Sequence, residues 1–213
     1  YILIKPEEMV FEYEHGKFSP KDKVIIISPY KSTSAILTVD GNDKFHVEKY
    51  TVHFNGFYQV PADGSVAAAE NFKLPANKNN FTAGPFDCKV DGEIVKVTKV
   101  TQVPFKCKYT GKTVAIIDET NAVVLLENGS EHVNKGGGSG GLKSMFGGSN
   151  LLFPGEDKKV TTEFKVPGKV ADMQFANMEI VWKNTFMEST INSFSVPDVS
   201  FELDPGMTDG KNK

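Results

Sequence analysis

The glycine-rich stretch at 136–150 contains the letters of two catalytic patterns. A G-x-G-x-x-G begins at Gly136, as in loops that hold a dinucleotide pyrophosphate, and a G-x-S-x-G is centred on Ser139, as in turns that expose a nucleophilic serine. Both patterns function only where a strand leads into a helix. No helical pattern follows here, and Pro154 comes soon after. We therefore interpret both matches as coincidental, because a Gly/Ser stretch of this kind predicts flexible coil.

The histidines and cysteines do not have the spacing of a metal site. His46 and His53 are separated along one predicted strand by about 23 Å, so one ion cannot bind both. Two cysteines are too few for a cysteine-rich zinc site. Cys88 and Cys107 allow at most one disulfide, and the sequence leaves open whether they form it or remain thiols. The sequence predicts no metal, no cofactor and strand histidines that face solvent.

Aromatic side chains form two groups along the sequence. In a β-sheet protein such residues usually form the core. A base-stacking platform would need them on a sheet face beside lysines, and Lys44 and Lys49 lie near the first group. Trp182 is the candidate for stacking on a sugar ring. The first group is Phe45, Tyr50, Phe54, Phe57 and Tyr58, and the second is Phe175, Trp182 and Phe186.

The charge composition disfavours sequence-specific recognition of nucleic acid. All 24 basic residues are lysines, and the formal net charge is −3. Arginine is the side chain that reads guanine and holds phosphate with two hydrogen bonds. Proteins that bind nucleic acid usually carry a basic surplus. Nucleic acid is therefore not the expected partner, although a local lysine patch keeps single-stranded binding open as an alternative.

The apolar runs are too short to cross a membrane. The longest, at 24–27, has the length of a β-strand, whereas a membrane span needs about 20 apolar residues. We expect no membrane span, and the sequence does not indicate a cellular compartment. The chain begins at Tyr1 rather than at Met, which indicates a processed or partial chain.

Alternating apolar and polar residues predict about ten strands and one or two short helices. Hydrophobic residues make up 39% of the chain and include 16 Phe, which is enough for a packed core. The turn signals recur at the spacing of an all-β, antiparallel sandwich or barrel. Strands do not alternate with helices, which argues against a Rossmann-like or TIM-like enzyme.

The first 85 residues carry one helix signal followed by strand signals. Pro6 and the acids after it predict a helix over 6–15, with an extended arm as the alternative because Phe11 and Tyr13 alternate with Glu. The other expectations here are strands at 24–28, 34–39 and 44–54, a turn at 40–43, a β-bulge near residue 48, and a long loop at 61–85.

Two hairpin signals mark the remainder of the chain. Asp91-Gly92 and Asn128-Gly129 both have the composition of tight turns. The expected strands are at 86–90, 93–100, 103–109, 113–117, 122–126, 131–133, 159–166, 173–182, 190–196 and 199–203.

These patterns suggest four regions. Residues 1–135 form a β-rich domain, in which the run at 106–134 has the rhythm of an SH3-like barrel. Residues 136–150 form a flexible Gly-rich loop or linker, natural or engineered. Residues 151–204 form a C-terminal β segment that can pair with the first domain, and 205–213 form a polar tail.

The absence of a catalytic constellation leads us to expect a non-enzymatic structural or interaction protein. We expect a subunit of a larger assembly, such as a virus or phage particle, with protein partners or further copies of itself. The predicted partner-binding residues are the side chains within the Gly-rich stretch, Leu142, Lys143, Met145 and Phe146. The alternatives are a small barrel that binds single-stranded nucleic acid and a carbohydrate-binding or carbohydrate-active β-sandwich.

Overall fold

The computed structural model describes residues 1–40, 49–97, 100–135, 150–166 and 177–202. These residues form two 3₁₀ helices, Pro6–Glu8 and Glu119–Asn121, and 21 strands. The strands are β1 Ile2–Ile4, β2 Val10–Tyr13, β3 Gly16–Phe18, β4 Ile25–Ile27, β5 Lys49–His53, β6 Phe57–Gln59, β7 Ser65–Val66, β8 Phe72–Leu74, β9 Asn80–Ala83, β10 Phe86–Val90, β11 Val95–Val97, β12 Val100–Tyr109, β13 Val114–Ile117, β14 Ala122–Leu126, β15 Glu131–Val133, β16 Leu151–Leu152, β17 Asp157–Lys165, β18 Met178–Trp182, β19 Phe186–Ser189, β20 Asn192–Ser193 and β21 Val199–Glu202.

The prediction of an all-β antiparallel fold is confirmed. The described strands form five sheets, and all their pairings are antiparallel. The strands outnumber the ten expected because several are only two or three residues long and lack a repeating pattern. Neither helix in the described ranges has the length and apolarity needed to cross a membrane.

The chain divides into two compact units. The first comprises Tyr1–Pro61 with Ile191–Lys213, and the second comprises Ala62–Thr190. The first unit contains two four-stranded sheets, in the orders β20-β6-β1-β4 and β21-β5-β2-β3. Its first sheet is centred on β1, where the side chain of Leu3 is fully buried. The predicted linker at 136–150 falls within the second unit, and its residues 136–149 lie outside the described ranges.

Three sheets of the second unit share one hydrophobic core. The longest strand, β12, alternates strictly, and its residues Val103, Phe105, Cys107 and Tyr109 are all buried. This period of two gives the strand one apolar face, which burial in the core stabilises. The sheet orders are β11-β12-β10-β9 with β17 also paired to β12, then β16-β13-β19-β7, and finally β15-β14-β18-β8.

The two cysteines are joined by a disulfide. Cys88 on β10 and Cys107 on β12 are directly opposite in the ladder, and both are buried. The sequence had left this pairing open. Antiparallel registry decides it, because directly opposed residues bring their Cβ atoms within the reach of an S–S bond.

The helix predicted over 6–15 is wrong for most of its length. Only Pro6–Glu8 turns, as a 3₁₀ helix, and β2 then pairs with both β3 and β5. The alternative of an extended segment is correct from Val10 onward, because Phe11 and Tyr13 alternate with Glu12 and share one sheet face. Strand pairing on both sides outweighs the local preference for a helical first turn.

The hairpin predicted at Asp91-Gly92 is also wrong. Strands β10 and β11 run in the same direction along one edge of β12, and four residues between them face two residues of β12. Gly92 has φ +138°, a conformation that suits glycine, and the amide of Asp91 still donates to the carbonyl of Pro104. Asp91-Gly92 is therefore part of a wide bulge between two consecutive strands that pair along the same side of β12.

Two further predictions fail because pairing is set by distant residues. The loop predicted at 61–85 contains β7, β8 and β9, of which β7 and β8 pair with β19 and β18. The strand predicted at 34–39 has no ladder partner within the part of the chain that the structure describes. The hairpin at Asn128-Gly129 is confirmed, since β14 and β15 pair across it, whereas β13 and β14 belong to different sheets.

Candidate interaction site

A strand-like arm follows the edge strand β4 in the first unit. The chain turns at Ser28–Lys31, where the amide of Lys31 donates to the carbonyl of Ser28 at 3.1 Å. Farther along, the amide of Thr38 donates to Oδ2 of Asp22 at 3.2 Å. The arm therefore folds back toward the segment that precedes β4, and the turn and one backbone-to-side-chain contact hold it there.

This hairpin is open between its two ends. Among the described residues, the backbone of 32–37 forms no hydrogen bond, although the sequence there has strand character. The side chain of Ile36 is 92% exposed and that of Tyr30 is fully exposed. An extended segment with free amides, free carbonyls and exposed apolar side chains is a template for pairing with another strand.

The strand on the other side of the opening is an unprotected edge. Strand β4 pairs with β1 on one side, in the register Ile2 opposite Ile27, and has no second neighbour among the described strands. Its three isoleucines are half-buried. Edge strands of soluble proteins are commonly protected by lysine, proline or a bulge. Strand β4 has none of these within its length, and the arm lies next to it in sequence without covering it.

The turn between β4 and the arm is held in a strained conformation. Tyr30 has φ +59°, in the left-handed region that costs a residue with a Cβ atom about 1–2 kcal/mol. Pro29 precedes it and restricts the turn further. Strain in a short hinge favours opening of the hinge, with the arm paired elsewhere.

The predicted partner-binding residues Leu142, Lys143, Met145 and Phe146 lie outside the described residues. The described chain ends before them at Lys135, whose amide donates to the carbonyl of Glu163 at 2.7 Å. It resumes at Asn150, whose carbonyl accepts from the amide of Ile117 at 3.0 Å. Both flanking residues are therefore fixed to strands of the second unit. Lys44 and His46, which were considered above as a nucleic-acid contact and a metal ligand, likewise lie outside the described ranges.

One histidine is partnered on both sides, which the sequence did not predict. His53 Nε2 lies 2.9 Å from Oε2 of Glu12, and its Nδ1 lies 2.8 Å from Oδ2 of Asp198. The two carboxylates raise the pKa of His53, Asp198 more strongly than Glu12. Because both ring nitrogens are occupied, the histidine is not free to act as a general base. No group of three His, Cys, Asp or Glu side chains in the described ranges is arranged to hold a metal ion.

The predicted aromatic platforms are occupied by the protein itself. Trp182 is buried in the core and stacks on Phe81 with ring centroids 4.8 Å apart. It is therefore not exposed to a sugar ring. In the first unit Tyr50 stacks on Phe201 at 5.0 Å and lies 6.2 Å from Phe11, so its ring faces are directed at protein neighbours. Residues of this kind stabilise sheets by cross-strand pairing.

A row of lysines crosses the outer face of the disulfide-containing sheet. Lys89, Lys106 and Lys159 are directly opposite one another on β10, β12 and β17. Lys106 pairs with Asp157 at 2.9 Å and Lys159 with Asp91 at 3.3 Å. Lys89 forms no ion pair with another described residue. Lys89 and Lys106 line a groove of about 550 Å³. Like charges directly opposite in a sheet are destabilising, so the row costs stability.

Comparisons of the chain with protein-family models, with curated proteins and with solved structures found no match.

Proposed function

We propose that this protein is a non-enzymatic structural subunit that associates with further copies of itself by strand exchange. The arm at 31–39 of one copy pairs with β4 of another. The observation that carries the proposal is the open hairpin, in which an exposed arm and an unprotected edge strand follow one another in the chain but form no backbone bonds. The expected setting, a virus or phage particle, stays a prediction.

The arm suits a second copy of this chain better than an unrelated partner. The turn already directs the arm back along β4 of its own chain, so each copy carries both an exposed arm and an edge strand that could receive the arm of another copy. Exchange of identical elements is a common route to symmetric dimers and longer assemblies. The strain at Tyr30 belongs to the observed turn and is released when the arm extends away from β4 of its own chain, which favours pairing between chains over pairing within one chain.

The burial of apolar side chains supplies the driving force. Complete burial of an isoleucine stabilises a complex by about 1.5–3 kcal/mol, and Ile36 is 92% exposed in the single chain. The ladder hydrogen bonds formed by 32–37 add register specificity. Their net contribution to affinity is modest, because those groups are solvated beforehand.

The test is the molar mass of the full chain by multi-angle light scattering across a concentration series. We expect a mass above that of one chain that increases with concentration. Ile36→Lys should weaken association roughly tenfold to a hundredfold, since about 1.4 kcal/mol corresponds to a factor of ten. Val133→Lys is the matched control, because Val133 is a 59% exposed valine in the second unit. A monomer at every concentration, or equal masses for wild type and Ile36→Lys, would contradict the proposal.

A second candidate function is the binding of a single-stranded nucleic acid along the lysine row. The supporting observation is the placement of Lys89, Lys106 and Lys159 directly opposite one another, which a phosphate chain would neutralise. The adjacent row on the same face of the sheet consists of Thr82, Asp87, Lys108 and Asp157 and has no aromatic ring, so a nucleic acid would be held there through its phosphates rather than by base stacking.

Titration with a labelled oligonucleotide at two salt concentrations tests this candidate. Affinity should decrease with rising salt, and Lys89→Ala should weaken binding and reduce the salt slope by about one unit. Lys73→Ala is the control, because Lys73 lies on a different sheet and pairs with Glu179. Equal effects of the two substitutions, or affinity independent of salt, would eliminate this function.

A further inference from the structure

Lys158 and Asn150 are in contact in the second unit, and Glu119 lies near them. Strand β17 directs Val160, Thr162 and Phe164 into the core, and Lys158 continues the same phase at the start of the strand. Its Nζ donates to the side-chain Oδ1 of Asn150 and, at 3.3 Å, to the main-chain carbonyl of Ile117. The amine is therefore in direct contact with the carboxamide of Asn150.

Glu119 is held beside this pair by two hydrogen bonds of its own. Its Oε2 accepts from the amide of Thr161 at 3.1 Å, and its main-chain carbonyl accepts from Nδ2 of Asn134 at 2.7 Å. Thr161 lies on the same strand as Lys158, so the carboxyl group is fixed relative to the amine. The two side chains do not form a direct ion pair, and both are half-buried.

The surroundings favour the uncharged forms of both groups. Burial lowers the pKa of Lys158, against the attraction of Glu119 and Asp118, which raises it. Burial raises the pKa of Glu119, and the nearby charge of Asp118 raises it further, against Lys158 and the amide of Thr161, which lower it. A neutral amine is a nucleophile, and a protonated carboxyl group can donate a proton to a leaving group.

We propose that Lys158 and Asn150 become joined by an intramolecular isopeptide bond, with Glu119 transferring the protons. Oδ1 of Asn150 accepts a hydrogen bond from Nζ of Lys158. The carbon that the amine would attack, Cγ of Asn150, is bonded directly to that oxygen. Reacting groups held at contact distance react far faster than the same groups in solution. The flanking strands hold the three residues in place, and each of the three is only partly exposed to water.

The reaction balances without an external reagent. The reaction starts from the forms that burial favours, the neutral amine of Lys158 and the protonated carboxyl group of Glu119. The Nζ lone pair forms a bond to Cγ of Asn150, and the bond between Cγ and Nδ2 breaks. Nδ2 leaves with its own two protons and one from Nζ as ammonia, which takes up the proton of Glu119. An ammonium ion, a secondary amide and a carboxylate replace the amine, the primary amide and the carboxyl group, so charge and hydrogen are conserved.

The bond would connect two sheets of the second unit. Asn150 immediately precedes β16, which pairs with β13, whereas Lys158 lies at the start of β17, which pairs with β12. The covalent link would persist under reducing conditions, in contrast to the disulfide of Cys88 and Cys107. A subunit of a large assembly would gain a connection between sheets that does not depend on the redox state.

Intact mass spectrometry of the full chain, after reduction of the disulfide, tests the proposal. The wild type should be lighter than the mass calculated from its sequence by one ammonia molecule, and Lys158→Arg should have its full calculated mass. A protease that cleaves after Glu156 separates Asn150 from Lys158 unless the isopeptide bond joins them. The two fragments should therefore remain linked in the wild type, a result that does not require any variant to fold.

Two controls distinguish the isopeptide bond from other losses of ammonia. Asn128 precedes Gly129, and cyclisation at such a site releases ammonia as well, so Asn128→Gln should retain the mass loss. Glu119→Gln should lose the link while its circular dichroism spectrum stays that of the wild type. A full calculated mass for the wild type, or separate fragments after cleavage, would overturn the bond. A fully linked Glu119→Gln would overturn the role of Glu119.

Discussion

His53 connects two carboxylates that belong to different parts of the chain. Glu12 lies on the neighbouring strand β2, and Asp198 lies just before β21 near the end of the described chain. The imidazolium donates from both ring nitrogens, so this bridge exists only in the protonated form. It links three segments of the first unit whose backbone ladders are short.

The bridge predicts that the stability of the first unit decreases as the pH rises. The pKa of His53 is raised in the folded state, first by Asp198 and then by Glu12. The stabilisation is therefore complete below the ordinary histidine pKa of about 6.5 and is lost as the pH rises through the elevated value. Thermal unfolding across this range should show a decline for the wild type. His53→Gln should remove the decline, and His132→Gln should retain it. Parallel pH profiles for the wild type and His53→Gln would refute the bridge.

Removal of the disulfide should lower the free energy of unfolding by about 3 kcal/mol. Cys88 and Cys107 close a loop with a sequence separation of 19, and the chain-entropy estimate for a loop of similar length has that size. Urea unfolding of the double substitution Cys88→Ala and Cys107→Ala measures the loss. A reducing agent should destabilise the wild type by a similar amount and leave the variant unchanged. A loss of less than about 1 kcal/mol in the free energy of unfolding would show that the loop between the two cysteines is already restricted in the unfolded chain.

Replacing Phe105, at the centre of the hydrophobic core of the second unit, by alanine should reduce the free energy of unfolding far more than replacing the exposed Phe201. Phe105 is buried among Phe72, Phe81 and Trp182, so Phe105→Ala should cost about 3–5 kcal/mol. Phe201→Ala is the control, since its side chain is 40% exposed, and it should cost about 1 kcal/mol or less. The single tryptophan, Trp182, reports unfolding of the second unit by fluorescence, and circular dichroism follows unfolding of the first unit, which contains Phe201. Similar costs for the two variants would indicate that the described core is not the one that stabilises the protein.

Relief of strain in the hinge should weaken self-association. Glycine adopts the conformation of Tyr30 without a Cβ penalty, so Tyr30→Gly stabilises the observed turn by about 1–2 kcal/mol relative to Tyr30→Ala. The dimer dissociation constant, measured by sedimentation equilibrium, should increase roughly tenfold for Tyr30→Gly compared with Tyr30→Ala. Both variants lack the aromatic ring, so the comparison isolates the backbone. Equal dissociation constants would show that strain at Tyr30 does not contribute to self-association.

The sequence alone determined the fold class and the elements whose signals are local. The alternation of β12 fixed which of its residues are buried, because successive side chains of a strand point to opposite faces. The Asn128-Gly129 turn fixed the hairpin of β14 and β15, because a tight turn needs a residue such as Gly129, with φ +80°. These features depend on residues a few positions apart, which a pattern in the sequence records.

Only the tertiary structure decided which distant segments pair, and every candidate site depends on that. The strand character of 34–39 predicted a ladder, but no described strand completes it. His53 lies 145 residues from Asp198, and Glu119 lies 39 residues before Lys158, so no spacing rule associates them. The physical reason is that backbone hydrogen bonds in a sheet are indifferent to sequence separation. The sum of many cross-strand contacts, rather than any local pattern, selects the neighbours of each strand.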